Sequence, residues 1–156
     1  MPNESREKKV KRLIVYKKMT IEDIEEVSSM EQRCFSMPWS LNAYRQVFDC
    51  DDVVYVVAKD EERIVGSCGV RNILSEGEIT NVMVDKPFRG RGISYPMLQI
   101  LLDEGKKLGI QQFFLEVRAS NQPAIHLYEK CGFKVEGIRK KLYEMPVEDG
   151  LVMWKR

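Results

Sequence analysis

The segment Val82-Met83-Val84-Asp85-Lys86-Pro87-Phe88-Arg89-Gly90-Arg91-Gly92-Ile93-Ser94 constrains this chain more than any other. An apolar strand runs into a proline turn, then into two glycines separated by one arginine, then into residues with helical spacing. Glycines at such a junction let the main chain turn tightly and bring its amides close to an anion, and a helix N-terminus adds partial positive charge. Arg89 and Arg91 add full charges, so a pyrophosphate would fit there; a tight connection with solvated arginines is the alternative on spacing alone. The order Gly-x-Gly-x-x-Gly is absent, which argues against a dinucleotide-binding fold of the usual kind.

Around this junction helical and strand-like stretches alternate. Residues 1–12 are polar and unpatterned and predict a mobile tail, followed by a strand at Leu13 to Lys17. Thr20 opens a helix in which Ile21, Ile24, Val27 and Met30 share a face, and Cys34-Phe35-Ser36-Met37-Pro38-Trp39-Ser40 breaks it. Ser40 suits the N-cap of a second helix carrying Leu41, Tyr44, Val47 and Phe48. Val53 to Lys59 and Arg63 to Asn72 flank the polar Asp60-Glu61-Glu62 and predict a hairpin, with a third strand at Glu78 to Val84. A helix from Gly92 to Leu108 ends at Gly109, a strand spans Gln111 to Arg118, and Asn121 with Pro123 starts a helix that Gly132 stops after Lys130. Two last strands, Phe133 to Leu142 and Leu151 to Lys155, are joined by a turn-rich segment. The expected fold class is therefore a mixed α/β sheet in one domain covering residues 13–156, long enough to build its core without disulfide or metal.

Several functions are disfavoured by composition. A net charge of +1 lacks the basic field of a dedicated nucleic-acid binder. The longest apolar run, Val53 to Ala58, is far short of the roughly 20 residues that cross a bilayer as a helix. The charged N-terminus carries no secretory signal pattern, so a cytoplasmic location is expected. Cys34, Cys50, Cys68 and Cys131 are widely spaced and His126 is the only histidine; no metal site is expected, and the thiols read as packed, reduced side chains.

The glycine junction resembles the signature of the GCN5-related N-acetyltransferase (GNAT) family, in which Arg/Gln-x-x-Gly-x-Gly/Ala lies between strand and helix. The likeness runs through the order of elements from about Leu13 onward. It is most specific in Leu115-Glu116-Val117-Arg118-Ala119-Ser120-Asn121 and in Ala124-Ile125-His126-Leu127-Tyr128-Glu129-Lys130-Cys131-Gly132-Phe133, which are similar to the RimI branch of the family. Glu31-Gln32-Arg33, Pro38-Trp39-Ser40 and the stretch from Tyr143 through Pro146 to Glu148-Asp149-Gly150 agree with it. The resemblance implies a GNAT fold: a mostly antiparallel sheet of six to seven strands, splayed at its centre and flanked by about four helices. It also implies acetyl-coenzyme A as co-substrate and, as acceptor, a protein N-terminal α-amine, in that branch the N-terminal alanine of a basic small-subunit ribosomal protein. Another protein terminus, a small amine, or a coenzyme A-binding module without catalysis remain alternatives. A monomer or weak dimer is the expected state.

By the same resemblance Val82, Met83 and Val84 bond the pantetheine arm, the backbone of Arg89, Gly90, Arg91, Gly92, Ile93, Ser94 and Tyr95 holds the pyrophosphate, and Asn121 bonds the arm farther along. As a bare feature Asn121 is a helix N-cap. Glu116 sits inside an apolar strand, where burial would raise a carboxyl's pKa unless cations or donors offset it, and a modest base is what an α-amine with a reference pKa near 7.7 to 8.0 requires. The competing reading is a carboxylate facing solvent. Tyr128 is by spacing a core tyrosine and by resemblance the general acid for the leaving thiolate. Phe35, Pro38 and Trp39 are expected to wall the acceptor groove, with Tyr143 and Glu148 on a last loop above the amine. Asp49, Asp51, Asp52, Glu76 and Glu78 are either solvated acids or a surface for a basic peptide. Where the family has Gly or Ala this chain has Ser94, then Tyr95-Pro96, and the residue before a proline is disfavoured in αR; a helix start delayed or bent near Pro96 follows.

Overall fold

The computed structural model describes residues 13–156. The tail expected over residues 1–12 lies outside the described residues. Strand β1 (Ile14–Lys18) leads through a 3-10 turn (Ile21–Asp23) into helix α1 (Ile24–Cys34), followed by α2 (Leu41–Phe48). Strands β2 (Val53–Asp60), β3 (Arg63–Ile73) and β4 (Glu76–Val84) come next, then α3 (Ser94–Lys107), β5 (Gln112–Arg118), α4 (Gln122–Lys130), β6 (Lys134–Glu144) and β7 (Val147–Lys155). One seven-stranded sheet has the order β1-β2-β3-β4-β5-β7-β6, antiparallel throughout except between β4 and β5.

The sheet has a core on each face because successive side chains of a strand point to opposite sides. Val56, Ala58, Val65 and Leu115 pack with Met97, Leu98, Leu101 and Leu102 of α3. Tyr55, Val57, Ile64 and Met83 pack with Ile24, Val27, Met30 and Tyr44 of α1 and α2. No helix among the described residues is long and apolar enough to cross a membrane.

Local chemistry explains the helix limits. Asp23 accepts from the Thr20 backbone N–H (2.8 Å) and from Lys17 (2.7 Å), fixing the entry to α1. Ser40 Oγ accepts from Ala43 N (3.1 Å) at the start of α2, and Asn121 Oδ1 from Ala124 N (3.3 Å) at the start of α4. Helix α3 ends with Gly109 at φ +89°; the amides of Gly109 and Ile110 return to the carbonyls of Lys106 and Gly105, which satisfies two orphan acceptors.

Three expectations need correction. Helix α3 starts at Ser94, neither at Gly92 nor delayed to Pro96, and Tyr95 is helical. Pro96 is the third residue of the helix, where no intrahelical N–H is required, and the first return bond, Met97 N to Ile93 O (3.4 Å), follows it directly. The turn-rich segment after Leu142 is paired strand: β6 and β7 run together up to Glu144↔Val147, leaving only Met145-Pro146 at the tip. Of the four thiols, Cys68 and Cys131 are buried, but Cys34 and Cys50 are half-exposed.

Gly105 tests packing against helix propensity. Alanine in its place gains about 1 kcal/mol of helix propensity, but its Cβ would stand 2.8 Å from Phe113 Cε1 in the core. Overpacking of this kind costs about 1–3 kcal/mol. Gly105→Ala is expected to lower stability by up to about 2 kcal/mol in urea unfolding, the cost less the gain; a stabilised variant would contradict the packing described.

Candidate active site

The site is built where the two parallel strands part. β4 and β5 pair only from Glu76↔Gln112 to Glu78↔Phe114. Beyond this, Ile79 to Val84 and Leu115 to Arg118 diverge, because β5 turns to pair with β7 while β4 stays with β3. Asn81 has φ +57°, and between the pairs Gly69↔Thr80 and Ser67↔Met83 the two residues Asn81 and Val82 of β4 stand against the single Cys68 of β3, which defines a bulge at Asn81-Val82.

The glycine junction opens at the end of β4. Gly90 (φ +77°) and Gly92 (φ +75°) both adopt left-handed geometry, and no atom lies within 4 Å of where a Cβ would stand on either. The loop thus has glycine where its turns require it and open space beside it, which fits a pyrophosphate cradle ahead of α3. Tyr16 donates to Ile93 O (3.1 Å) and anchors the loop to β1, while Ile93 itself is buried. Arg89 uses its Nε to brace Val84 O (2.9 Å), and Arg91 lies over the Phe88 ring (5.1 Å); neither guanidinium is as free as the sequence suggested. Tyr95 carries Lys130 over its ring (4.6 Å), joining α3 to α4 beside the opening.

Asp85 anchors the same turn. It is buried, and Arg33 (3.0 Å) and Arg63 (2.9 Å) both donate to its Oδ2. Burial pushes the carboxyl up, but the two guanidinium hydrogen bonds outweigh this and hold it below the usual carboxylate range.

Glu116 is the second residue of β5 past its last pair with β4, on the face opposite Leu115 and Val117. It is not buried as its apolar strand suggested: the side chain keeps 30% of its exposure and accepts from Arg139 Nη1 at 2.6 Å. Tyr128 is buried on α4, its ring edge-on to Phe133 (6.1 Å), and desolvation, with smaller contributions from Cys68 and Tyr143, pushes its phenol up. Tyr143 is pushed up by burial and by the neighbouring Glu116 charge, so this second phenol lies within the field of both expected catalytic groups.

The structure corrects the expected acceptor loop. Tyr143 and Glu148 are cross-strand partners on β6 and β7. Glu148 is already engaged by Ser120 N (2.6 Å) and Arg118 (3.3 Å). Arg118 also donates to the carbonyls of Pro146 (2.8 Å) and Met145 (3.2 Å) and lies over the Tyr143 ring (4.4 Å), so it grips the hairpin tip. Ser36 Oγ donates to Met145 O (2.7 Å), which brings the segment holding Phe35, Pro38 and Trp39 against the same tip. Phe35 is exposed there; Pro38 and Trp39 are half-buried. Of the acids suggested for a basic peptide, Asp52 pairs with Arg71 (3.2 Å), while Asp49 and Asp51 are exposed. Among the described residues no three His, Cys, Asp or Glu side chains are grouped to hold a metal ion.

Arg139, Arg118, Ser36 and Asn81 were not singled out from the sequence. Only Asn81 carried a local signal, an αL-tolerant residue in the middle of a strand. The others depend on registers that pairing alone sets.

Residues 24–133 match the family model for the acetyltransferase (GNAT) family. The chain belongs to the GNAT family. It is an acetyltransferase of that family, and it is 33% identical over 135 residues to the [ribosomal protein bS18]-alanine N-acetyltransferase of Salmonella typhimurium, covering 84% of this chain and 89% of the relative. The crystal structure of the ribosomal-protein-S18-alanine N-acetyltransferase from Escherichia coli superposes with a TM-score of 0.83 at 27% identity, covering 91% and 92% of the two chains. Arabidopsis thaliana NAA60 in complex with acetyl-CoA shares the fold at 17% identity, with a TM-score of 0.82 over 91% of this chain and 97% of that one. The expected GNAT fold, with its splayed centre, is the fold observed.

A pH dependence follows from Asp85. Its depressed folded-state pKa means that its contribution is complete above the unfolded value near 3.9 and is lost as pH falls through the folded value. Thermal stability of the wild type should therefore fall on acidification below about pH 5. Asp85→Asn should be less stable at pH 7 and lose less than the wild type between pH 5 and pH 3; parallel losses would remove Asp85 from this account.

Proposed function

We propose that this GNAT acetyltransferase transfers the acetyl group of acetyl-coenzyme A to a protein N-terminal α-amine, and that its acceptor is the N-terminal alanine of the ribosomal protein bS18. The observation that carries the reading is the parting of β4 and β5 with Glu116 just past it, in a chain alike over most of its length to the bS18-alanine enzymes. The cytoplasm, where ribosomal proteins are made, is the expected location.

Acetyl-coenzyme A, when bound, supplies an activated thioester carbonyl. The glycine loop from Arg89 to Tyr95 holds its pyrophosphate through backbone amides, β4 from Val82 to Val84 bonds the arm, and Asn121 receives it near α4. Backbone donors at the Asn81-Val82 bulge polarise the carbonyl, a role that needs fixed dipoles rather than a charged side chain. Phe35, Pro38, Trp39 and Tyr143 wall the acceptor, and Glu148 sets the hairpin end above it by holding Ser120 and Arg118.

Glu116 takes the proton that the α-ammonium must lose. With an amine pKa near 7.7 to 8.0 about a tenth of the amine is already free at pH 7, and once the nitrogen bonds the carbonyl carbon its remaining proton is acidic enough for a carboxylate and its water to take. The amine nitrogen forms the new C–N bond, the C–S bond breaks, and the electron pair stays on sulfur. Tyr128 donates a hydrogen bond to that sulfur. Its phenol pKa lies above 10 and a simple thiol near 8.5, so complete transfer would be uphill by more than about 2 kcal/mol. The phenol therefore stabilises the thiolate by hydrogen bonding until solvent protonates it.

An Ala-starting basic peptide should release free coenzyme A thiol, and its N-terminally blocked twin should not; turnover with polyamines instead would overturn the acceptor assignment. Glu116→Gln should lower kcat by about 10²–10³-fold with coenzyme A affinity little changed. Tyr128→Phe should lower kcat about 10-fold or more. Equal turnover at saturating substrate in either variant removes that residue from its role.

A further inference from the structure

Glu31, in the last turns of α1, is the most completely enclosed acid among the described residues, with 1% of its surface exposed. Its carboxylate accepts from three donors, one on β4, one on α2 and one in the connection between α1 and α2. Asn81 Nδ2 donates to Oε1 at 2.8 Å, the Tyr44 hydroxyl donates to the same oxygen, and the Trp39 backbone N–H donates to Oε2. Asn81 Oδ1 in turn accepts from the Tyr55 hydroxyl (3.2 Å) on β2. The Tyr55 ring lies over Gly69, where a Cβ would stand only 2.2 Å from the ring, so β3 is shaped to hold that tyrosine.

Two of these partners matter beyond packing. Trp39 lies in the segment that walls the acceptor groove, and its ring packs on Tyr44 with centroids 5.5 Å apart. Asn81 is the left-handed residue of the β4 bulge, at the edge of the opening between β4 and β5. One carboxylate therefore ties the acceptor wall to the strand bulge. An acid suits this place because each donor needs an acceptor: a carboxylate presents two accepting oxygens and no N–H, whereas an amide presents one.

We propose that Glu31 is a positioning residue that couples the β4 bulge to the Trp39 segment, so that seating coenzyme A against the bulge sets the acceptor wall. The proposal rests on the acetyl-transfer reading for what each side of the link binds. A buried hydrogen-bonded link has defined geometry, so displacement at one end is passed to the other.

Asn81→Asp is the decisive change. Aspartate tolerates left-handed geometry as asparagine does, so the bulge is kept, but a second carboxylate now faces Glu31 in place of a donor. Adding Glu31→Gln restores complementarity. The glutamine Nε2 then faces the carboxylate introduced on the bulge and the Tyr44 hydroxyl, while its oxygen still accepts from Trp39 N.

The chain has two tryptophans, so Trp154→Phe leaves Trp39 as the only reporter. In that background coenzyme A is expected to change Trp39 emission. Asn81→Asp should reduce the change to less than about one-fifth at saturating coenzyme A, and adding Glu31→Gln should recover about half or more. Calorimetry should find the coenzyme A Kd within about threefold throughout, and the KM for an Ala-starting peptide should rise about 10-fold in Asn81→Asp. An undiminished emission change in Asn81→Asp, no change in the Trp154→Phe parent, or no recovery in the double variant would overturn the proposal. Should Asn81→Asp not fold, Tyr44→Phe removes one donor to the same carboxylate and is expected to weaken the emission change; an unchanged response overturns the proposal. A parent that never acetylates an N-terminal peptide would overturn the acceptor reading instead, and the coenzyme A response of Trp39 would still decide the coupling.

Discussion

Three residue pairs of parallel hydrogen bonding between β4 and β5, and none beyond, set the rest of this molecule. A sheet that opens leaves backbone donors and acceptors without strand partners, and such groups persist only where water, side chains or a ligand satisfy them. The protein places its specialised features around that opening. The bulge at Asn81-Val82 bends β4, the glycine loop turns away from its end, and β5 leaves toward β7. Helix α4, carrying Tyr128, follows β5 directly, so the divergence of the strands also determines where the phenol stands.

The opening is maintained by polar links rather than by core packing alone. Asp85 with Arg33 and Arg63 ties α1 and β3 to the end of β4. Arg118 with Glu148 and the carbonyls of Met145 and Pro146 fixes the β6–β7 hairpin end, and Ser36 joins that end to the segment after α1. Glu31 closes the same region from beneath. Apart from the local bonds of Glu31 to Trp39 and Tyr44, each link joins elements far apart in sequence and so depends on the assembled sheet. The rim of the site is thus a product of tertiary structure, built over two apolar cores.

That dependence explains which parts were legible in the sequence. Helix ends were, because Ser40, Asn121, Gly109 and Gly132 act on their own neighbours through caps and left-handed turns. The glycine junction was too, since Gly90 and Gly92 answer a local backbone demand. Pro96 does not delay the helix start, because the αR avoidance that a proline imposes is outweighed in a first turn, where it forgoes no hydrogen bond. Turn residues dominate Tyr143 to Gly150, yet cross-strand pairing carries both strands almost to the proline. The apolar residues beside Glu116 in sequence point to burial, but alternation turns it to the other face of the sheet, where Arg139 arrives from a strand whose register no local pattern specifies.

The ion pairs around the opening differ in a way that bears on the proposed chemistry. Asp85 is enclosed and shared by two arginines, so removing a partner would leave a buried charge, a costly outcome. Glu148 is held by a backbone amide as well as by Arg118. Neither can change partners without disturbing the framework. Glu116 and Arg139 retain 30% and 60% of their side-chain exposure, and pairs so open to water contribute within about 1 kcal/mol. Arg139 can therefore yield at small cost to another cation. In the proposed reaction the α-ammonium is such a cation, and water left free by the guanidinium can take the proton on from the carboxyl group. Low stability of this one pair, among neighbours that are fixed, is what the role proposed for Glu116 requires, since a base would exchange partners in each turnover.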